Sequence, residues 1–380
     1  MSALADTGLP EAAPRRPLPP FGEEHEQLRA EIRAFVAEEL RPHAGEWEAA
    51  RWFPNSVFER MAELGLLGLK YPVEYGGRGG GYLDDAVLAE ELGRCGSGGL
   101  AAGIGAHIGI ATPPIWKFGS DDQKERFLAP AIRGQRIAAL GITEPGAGSD
   151  VAGIRTFARR VDGGYVVNGS KTYITNGVRA DFVVTAVKTT EEGGHQGLSF
   201  LIIEREMDGF EPSKKLEKLG WHASDTGELA FSDVFVPDEN LLGEENRGFY
   251  LIMANFQWER LVMALGAVTS MDVVLERVLA AEADGRWRHA VAEMTVKREA
   301  ARCLTYHALR LFDAGHDAIR EVTEAKLLSQ RSAFEVAETA FRVLDGDLEI
   351  GRAIRDTRLG PIGGGSDEVM KEILAKQLGL

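Results

Sequence analysis

"ALGITEPGAGSDVAG", residues 139–153, stands where the texture of the chain changes. Its composition reads as a tight loop, with Pro145, Gly146 and Gly148 making the turn and Asp150 capping it. Thr143 and Ser149 add two hydroxyls beside backbone N–H groups. Such a loop can bind a polar ring edge and a phosphate together.

Upstream of the loop, apolar residues recur at helical spacing. Leu28, Ile32, Phe35, Val36 and Leu40 do so in "EHEQLRAEIRAFVAEEL", and "SVFERMAELGLLGL", "YLDDAVLAEELGRCG" and "DDQKERFLAPAIRGQ" continue the pattern. Downstream, "GGYVVNGSKTYITNG", "ADFVVTAVKT", "LSFLIIERE" and "ELAFSDVFVP" are short β-branched or aromatic runs between turn residues. From "GFYLIMANFQWERLVMALGAV" the helical period returns and persists to the end. Helices, then strands, then helices, without βαβ alternation, predict an α+β chain. The expected parts are a flexible tail at 1–20, an N-terminal helical domain at 21–136, a central antiparallel β domain at 137–237 and a C-terminal helical bundle at 238–380.

A net charge of −15 over 380 residues excludes a duplex-wide phosphate-binding face, so no nucleic acid is expected. It leaves room for a local basic pocket holding one small polyanion. Cys95 and Cys303 form neither a disulfide framework nor a CxxC site, and the eight histidines have no ligand spacing, so no metal is expected. This cysteine usage fits a reducing, cytoplasmic setting. The start lacks the apolar core of a secretory signal, and no apolar run reaches membrane-spanning length. "GIGAHIG" at 103–109 has its last glycine one position late for a dinucleotide fingerprint and follows no strand, so helix packing is the expectation there.

The loop does not stand alone. With "VNGSKTYITNGVRADFVV", "KLEKLGWHASDTGELAFSDVFVPDENLLGEENRGF", "YPVEYGGRGGGYLDDAVLAEELGR" and "KFGSDDQKERFLAPAIRGQ", it strongly resembles the acyl-CoA dehydrogenase family, from about Phe21 to Leu380. The resemblance implies an N-terminal helical domain, a central β domain and a C-terminal four-helix bundle. It also implies FAD as cofactor, an acyl-CoA or acyl-carrier-protein thioester as substrate, an electron-transfer flavoprotein as acceptor and a homo-oligomer, tetramer or dimer. In such chemistry a carboxylate removes the α proton while the β hydride passes to flavin N5. The thioester oxygen is held by a backbone N–H and a flavin ribose hydroxyl. Carried over by motif, the cofactor-binding residues are Ile142, Thr143, Gly148, Ser149, Tyr173, Ile174, Thr175, Gly365, Ser366 and Glu368. Those for substrate are Ser149, Gln257, Arg260 and Gly364.

Near the end, "LGPIGGGSDEVM" holds three consecutive glycines, Gly363 to Gly365. Most family members have Glu-Gly-Thr at this turn, and that glutamate is the base; here Gly364 takes its place. A branch that includes isovaleryl- and long-chain-type dehydrogenases carries its base on a helix, in Glu-Arg-Leu. Glu259, followed by Arg260 and Leu261 in "NFQWERLVMALG", matches that arrangement, which makes Glu259 the expected catalytic base. Glycine at 364 would then clear space for it.

Two segments depart from the family. "VLAAEADGRWRHAVAEM" is shortened and lacks the usual Phe-Gly, and "RVLDGDLEIGRAIRD" replaces a Gly-Gly-x-Gly stretch, adding Asp345 and Asp347. Carboxylates near a pyrophosphate would repel it. These departures motivate the alternative, a protein of this fold that has lost flavin redox chemistry. The stretch "GLAAGIGAHIGIA" is expected to serve tight helix packing more than an acyl pocket.

Overall fold

The computed structural model describes residues 18–190, 194–281 and 285–380, so most of the expected tail lies outside the described residues. The N-terminal part comprises α1 (Glu23–Phe35), α2 (Ala44–Ala50), α3 (Ser56–Glu63), α4 (Tyr82–Leu92), α5 (Gly98–Gly105), α6 (Thr112–Phe118), α7 (Asp121–Gln123) and α8 (Ala129–Ile132). Leu28, Ile32 and Phe35 bury one face of α1 at spacings of three and four. Ser120 caps α7: its Oγ accepts from Gln123 N at 3.2 Å, and Gln123 Oε1 accepts from Ser120 N at 3.2 Å. A π-helical stretch at Ala106–Ala111 joins α5 to α6 and bends the chain past the later site.

Among the described residues the sheet has eight strands: β1 (Ala138–Gly141), β2 (Phe157–Val161), β3 (Gly164–Thr175), β4 (Phe182–Lys188), β5 (Leu198–Glu204), β6 (Phe210–Lys215), β7 (Thr226–Pro237) and β8 (Leu241–Leu242). Their order is β6-β7-β3-β2-β4-β5-β8, with β1 also on β4. Most pairings are antiparallel as expected, but β1 and β2 each run parallel to β4. Residues Phe182 to Val187 of β4 are all buried, as in a strand covered on both faces, and such a strand accepts parallel neighbours. The hairpin-like spacing of turn residues carried no sign of this.

The C-terminal part packs α9 (Gly248–Ala280), α10 (Arg288–Asp313) and α11 (Ile319–Val343) together, with α12 (Leu348–Thr357) and α13 (Asp367–Gln377) against α11. Among the described residues no helix is long and apolar enough to cross a membrane.

One ionic hub ties the helical part to the sheet. Arg179 Nε donates to Asp225 Oδ1 at 2.6 Å, with side chains 1% and 0% exposed. Asp225 Oδ2 also accepts from the Val178 and Arg179 N–H groups, while Arg179 Nη1 reaches Phe53 O at 2.9 Å. The guanidinium lies 3.8 Å from the centre of the Trp52 ring. Removing one charge strands the other, so Asp225→Asn is expected to destabilise by about 3–5 kcal/mol, read from urea unfolding. A change below about 1 kcal/mol in that variant would contradict the role given to this pair.

Candidate functional site

A cavity of about 1360 Å³ opens between α4 and α5, the loop after β1, the end of β3, α9 and the glycine turn before α13. That exceeds the ~300–1,000 Å³ of a pocket for one drug-sized ligand and suits two large ligands side by side.

One wall comes from the loop at 139–153. Ile142, Thr143, Gly148 and Ser149 all line the cavity. The loop is held from behind by Glu144 and Lys171, two residues that no pattern in the sequence marked out. Glu144 accepts from Arg155 N at 2.6 Å, Thr156 N at 2.9 Å and Lys171 Nζ at 2.8 Å. Lys171 Nζ also donates to Ile142 O at 3.0 Å. Burial pushes the Glu144 carboxyl up, but Lys171 and the N–H donors outweigh it and hold the group below the usual range. Burial brings Lys171 down to about 8. The available signal was the pairing of Glu144 in the loop with Lys171 in "GSKTYITNG", but nothing in the spacing showed that they meet.

Tyr173, Ile174 and Thr175 line the next stretch of wall. Pairing of β3 with β7 slips between Lys171 and Ile174, and at this irregularity Tyr173 takes φ 60° with its side chain 70% exposed. It is therefore no strand-core residue; the slip turns its ring outward beside the cavity. Beyond Thr175, Asn176 Nδ2 donates to Gly103 O at 2.8 Å, fixing the end of β3 to α5.

Facing this wall is α9. Phe256, Glu259, Arg260, Met263, Gly266, Ala267 and Ser270 all border the cavity, at helical spacing on one face. Burial raises the Glu259 carboxyl to about 6, against the opposing pull of Arg260 and Lys326. Opposite lies the glycine turn. A β-carbon on Gly364 would stand 2.4 Å from Met263 Sδ and 3.7 Å from Glu259 Oε1, on a backbone with φ +61°. Gly365 follows at φ +91°. No L side chain fits there without displacing Met263. Among the described residues, the N–H groups of Gly364 and Gly365 make no hydrogen bond, so two donors remain at the cavity edge. The turn is pinned by Lys326 of α11, whose fully buried Nζ donates to Gly365 O. Burial pulls this ammonium down to about 8. Ser366 caps α13, accepting from Val369 N, and its side chain borders the cavity.

Two expected site residues lie elsewhere. Gln257 precedes Glu259 by two positions, about 200° round the helix, and is not among the cavity-lining residues. Glu368 is exposed in the first turn of α13, its carboxyl held low by its own N–H and by Ser366. The glycine-rich stretch divides: a β-carbon on Gly103 would meet Phe53 at 2.7 Å, whereas Gly105 and Gly109 line the cavity. Asp347 is no loose charge either. It caps α12 through Glu349 N at 2.9 Å and Ile350 N at 3.1 Å, and it accepts from Arg277 Nη2 at 2.7 Å. Among the described residues no cluster of metal-ligating side chains occurs.

Comparison with known proteins agrees along the whole chain. The N-terminal, middle and C-terminal domains of acyl-CoA dehydrogenases match residues 22–135, 139–234 and 246–379. The mitochondrial isovaleryl-CoA dehydrogenase of Solanum tuberosum is 36% identical over 376 residues, covering 94% of this chain and 91% of the relative. A crystal structure of a probable acyl CoA dehydrogenase from Mycobacterium abscessus superposes with a TM-score of 0.91 at 41% identity, over 94% of this chain and 99% of that one. The FAD complex of PigA superposes with a TM-score of 0.91 at 26% identity, over 95% and 98% of the two chains. The chain belongs to the acyl-CoA dehydrogenase family.

Proposed function

We propose that Glu259 is the base that removes the α proton of an acyl-CoA thioester. The family's chemistry, FAD-dependent α,β-dehydrogenation, is the chemistry of this chain. One observation supports Glu259: its carboxylate faces a turn where Gly364 leaves room for a reacting group, 3.7 Å from Glu259 Oε1 to the position of the absent β-carbon.

The lining residues fit the cofactor. Tyr173 presents an exposed ring, Thr143, Ser149, Thr175 and Ser366 present hydroxyls, and the cavity is large enough for a dinucleotide beside a thioester. FAD, when bound, accepts the β hydride. Ile142, Thr143, Ser149, Tyr173, Thr175, Gly365 and Ser366 are the residues we assign to holding it. Because Asp347 is paired with Arg277, the altered segment after α11 brings no isolated carboxylate toward a phosphate from that position.

The chain's own groups then divide the work. Partial desolvation at the cavity wall raises the proton affinity of the carboxylate, which a base for a weak carbon acid needs. Arg260 and Lys326 stop that rise near 6, so the carboxylate is ionised at neutral pH. The unpaired N–H of Gly364 is placed to donate to the thioester oxygen as negative charge develops there. An electron-transfer flavoprotein as acceptor and a homo-oligomer as the working form rest on the family likeness. A reducing, cytoplasmic setting rests on Cys95 and Cys303 being free.

Replacing Glu259 with Gln is expected to abolish bleaching of the bound flavin by an acyl-CoA while the flavin-to-protein ratio stays at the wild-type value; undiminished turnover would sink the assignment. In wild type, kcat measured at saturating substrate should fall on the acid side as Glu259 takes up its proton near pH 6. The same group gives a stability signature. Its folded-state pKa of about 6 lies above the ordinary 4.5, so ionising it costs the fold stability, a cost absent at low pH and complete above both values. Glu259→Gln should therefore melt at a higher temperature than wild type near pH 8, with the gap narrowing as pH falls through about 6 and closing near pH 4. A gap that widens on acidification would contradict the buried placement.

A further inference from the structure

The cavity continues well past the base. Beyond Glu259 it is bordered on α9 by Met263, Gly266, Ala267, Ser270, Val273 and Val274, which share one helical face. From Glu259 to Val274 the unbroken helix rises about 22 Å. Leu88, Ala89 and Leu92 of α4 and Ala101, Ala102 and Gly105 of α5 border the same cavity. Two glycines widen it. A glycine is usually kept against a close neighbour, as at Gly93, where a β-carbon would stand 3.0 Å from the Thr269 side chain. Gly105 and Gly266 differ: among the described residues, a β-carbon on either would meet nothing within 4 Å. Both stand in helices, where glycine is the poorest residue after proline, so their missing side chains weaken the helices and leave only open space.

The polar groups that lack partners gather at one end. Arg260, 6% exposed, borders the cavity beside Glu259, and among the described residues its guanidinium makes no hydrogen bond or ion pair. With the unbonded N–H groups of Gly364 and Gly365, this end calls for the polar head of a ligand. From Met263 to Val274 the wall on α9 is small or apolar except for Ser270. Charged residues elsewhere on the border are already matched: Asp85 by Lys70, Arg277 by Asp347 and Glu349, and Arg352 by Gly96 O at 2.8 Å. We infer that this chain acts on long acyl thioesters, with the polar head at Glu259 and an uncharged alkyl tail running along α9 toward Val274. At about 1.3 Å per extended carbon, the rise of the helix matches a chain of roughly sixteen carbons. This specificity rests on the thioester meeting Glu259 as proposed above. A short acyl group would leave most of the apolar wall without a partner and forgo the gain that each buried methylene brings.

The test measures kcat/KM of the flavin-loaded protein on butyryl-, isovaleryl-, octanoyl-, dodecanoyl- and hexadecanoyl-CoA. Each step of four carbons up to dodecanoyl-CoA should raise it about tenfold or more, since every methylene taken from water adds to binding. A maximum at octanoyl-CoA or shorter, or at isovaleryl-CoA, would overturn this inference while leaving the dehydrogenase intact. Gly266→Leu places a side chain about 10 Å along the helix from Glu259. It should therefore cut the hexadecanoyl-to-butyryl ratio of kcat/KM by about tenfold or more, and Gly105→Leu should act in the same direction. Both new side chains enter open space, and leucine favours a helix more than glycine does. Melting temperature and flavin-to-protein ratio should accordingly stay at or above the wild-type values. A ratio unchanged in both variants, or melting temperatures lowered in both as by overpacking, would overturn the inference. A protein that oxidises no acyl-CoA of any length would overturn it together with the function it rests on.

Discussion

Glu259 and the side chain at position 364 draw on one volume. The glycine turn yields that volume, and much of the site follows from the concession. Two consecutive residues with positive φ bring backbone rather than side chain against the carboxylate, and among the described residues their N–H groups have no hydrogen bond. A turn of this kind has little packing of its own to hold it. Lys326 supplies the restraint from α11 by binding the Gly365 carbonyl, and Met263 fills the space beside Gly364 from α9. Carboxylate, turn and restraint come from three separate elements, so the arrangement exists only when the C-terminal helices are packed.

The electrostatics show the same mutual dependence. Burial pushes the Glu259 carboxyl up, and Arg260 and Lys326 pull it back down. Arg260 and Lys326 are themselves buried, and burial lowers the proton affinity of both. Glu259 makes both cations more tolerable, although Arg260 and Lys326 repel each other. On the opposite wall Glu144 and Lys171 repeat the pattern beneath the loop that carries Thr143. Arg179 and Asp225 repeat it again where the helices meet the sheet.

Local signals made much of this legible. Helical period, strand-like runs and turn residues gave the order of the three parts, because each depends on neighbours in sequence. Glu259 and Gly364 were legible as a pair because glycine stands where a carboxylate is usual and a carboxylate stands where the branch with a helical base has one. The parallel contacts of β1 and β2 with β4 were not legible, since they depend on how loops route the chain. Nor were Glu144–Lys171, Arg179–Asp225 or Lys70–Asp85, since a charged residue in a sequence looks the same whether it meets water or a buried partner. Gln257 was carried over by motif, and it does not line the cavity because two positions along α9 turn a side chain about 200° from Glu259.

Met263 carries a consequence for where such a site can place its carboxylate. Its sulfur occupies the place that a side chain at 364 would need, and the backbone there is left-handed. A side chain at 364 therefore needs two accommodations at once: the Met263 side chain must swing aside, and the new residue must accept a left-handed backbone. A carboxylate at 259 and one at 364 are in this sense alternatives that the same packing does not serve together.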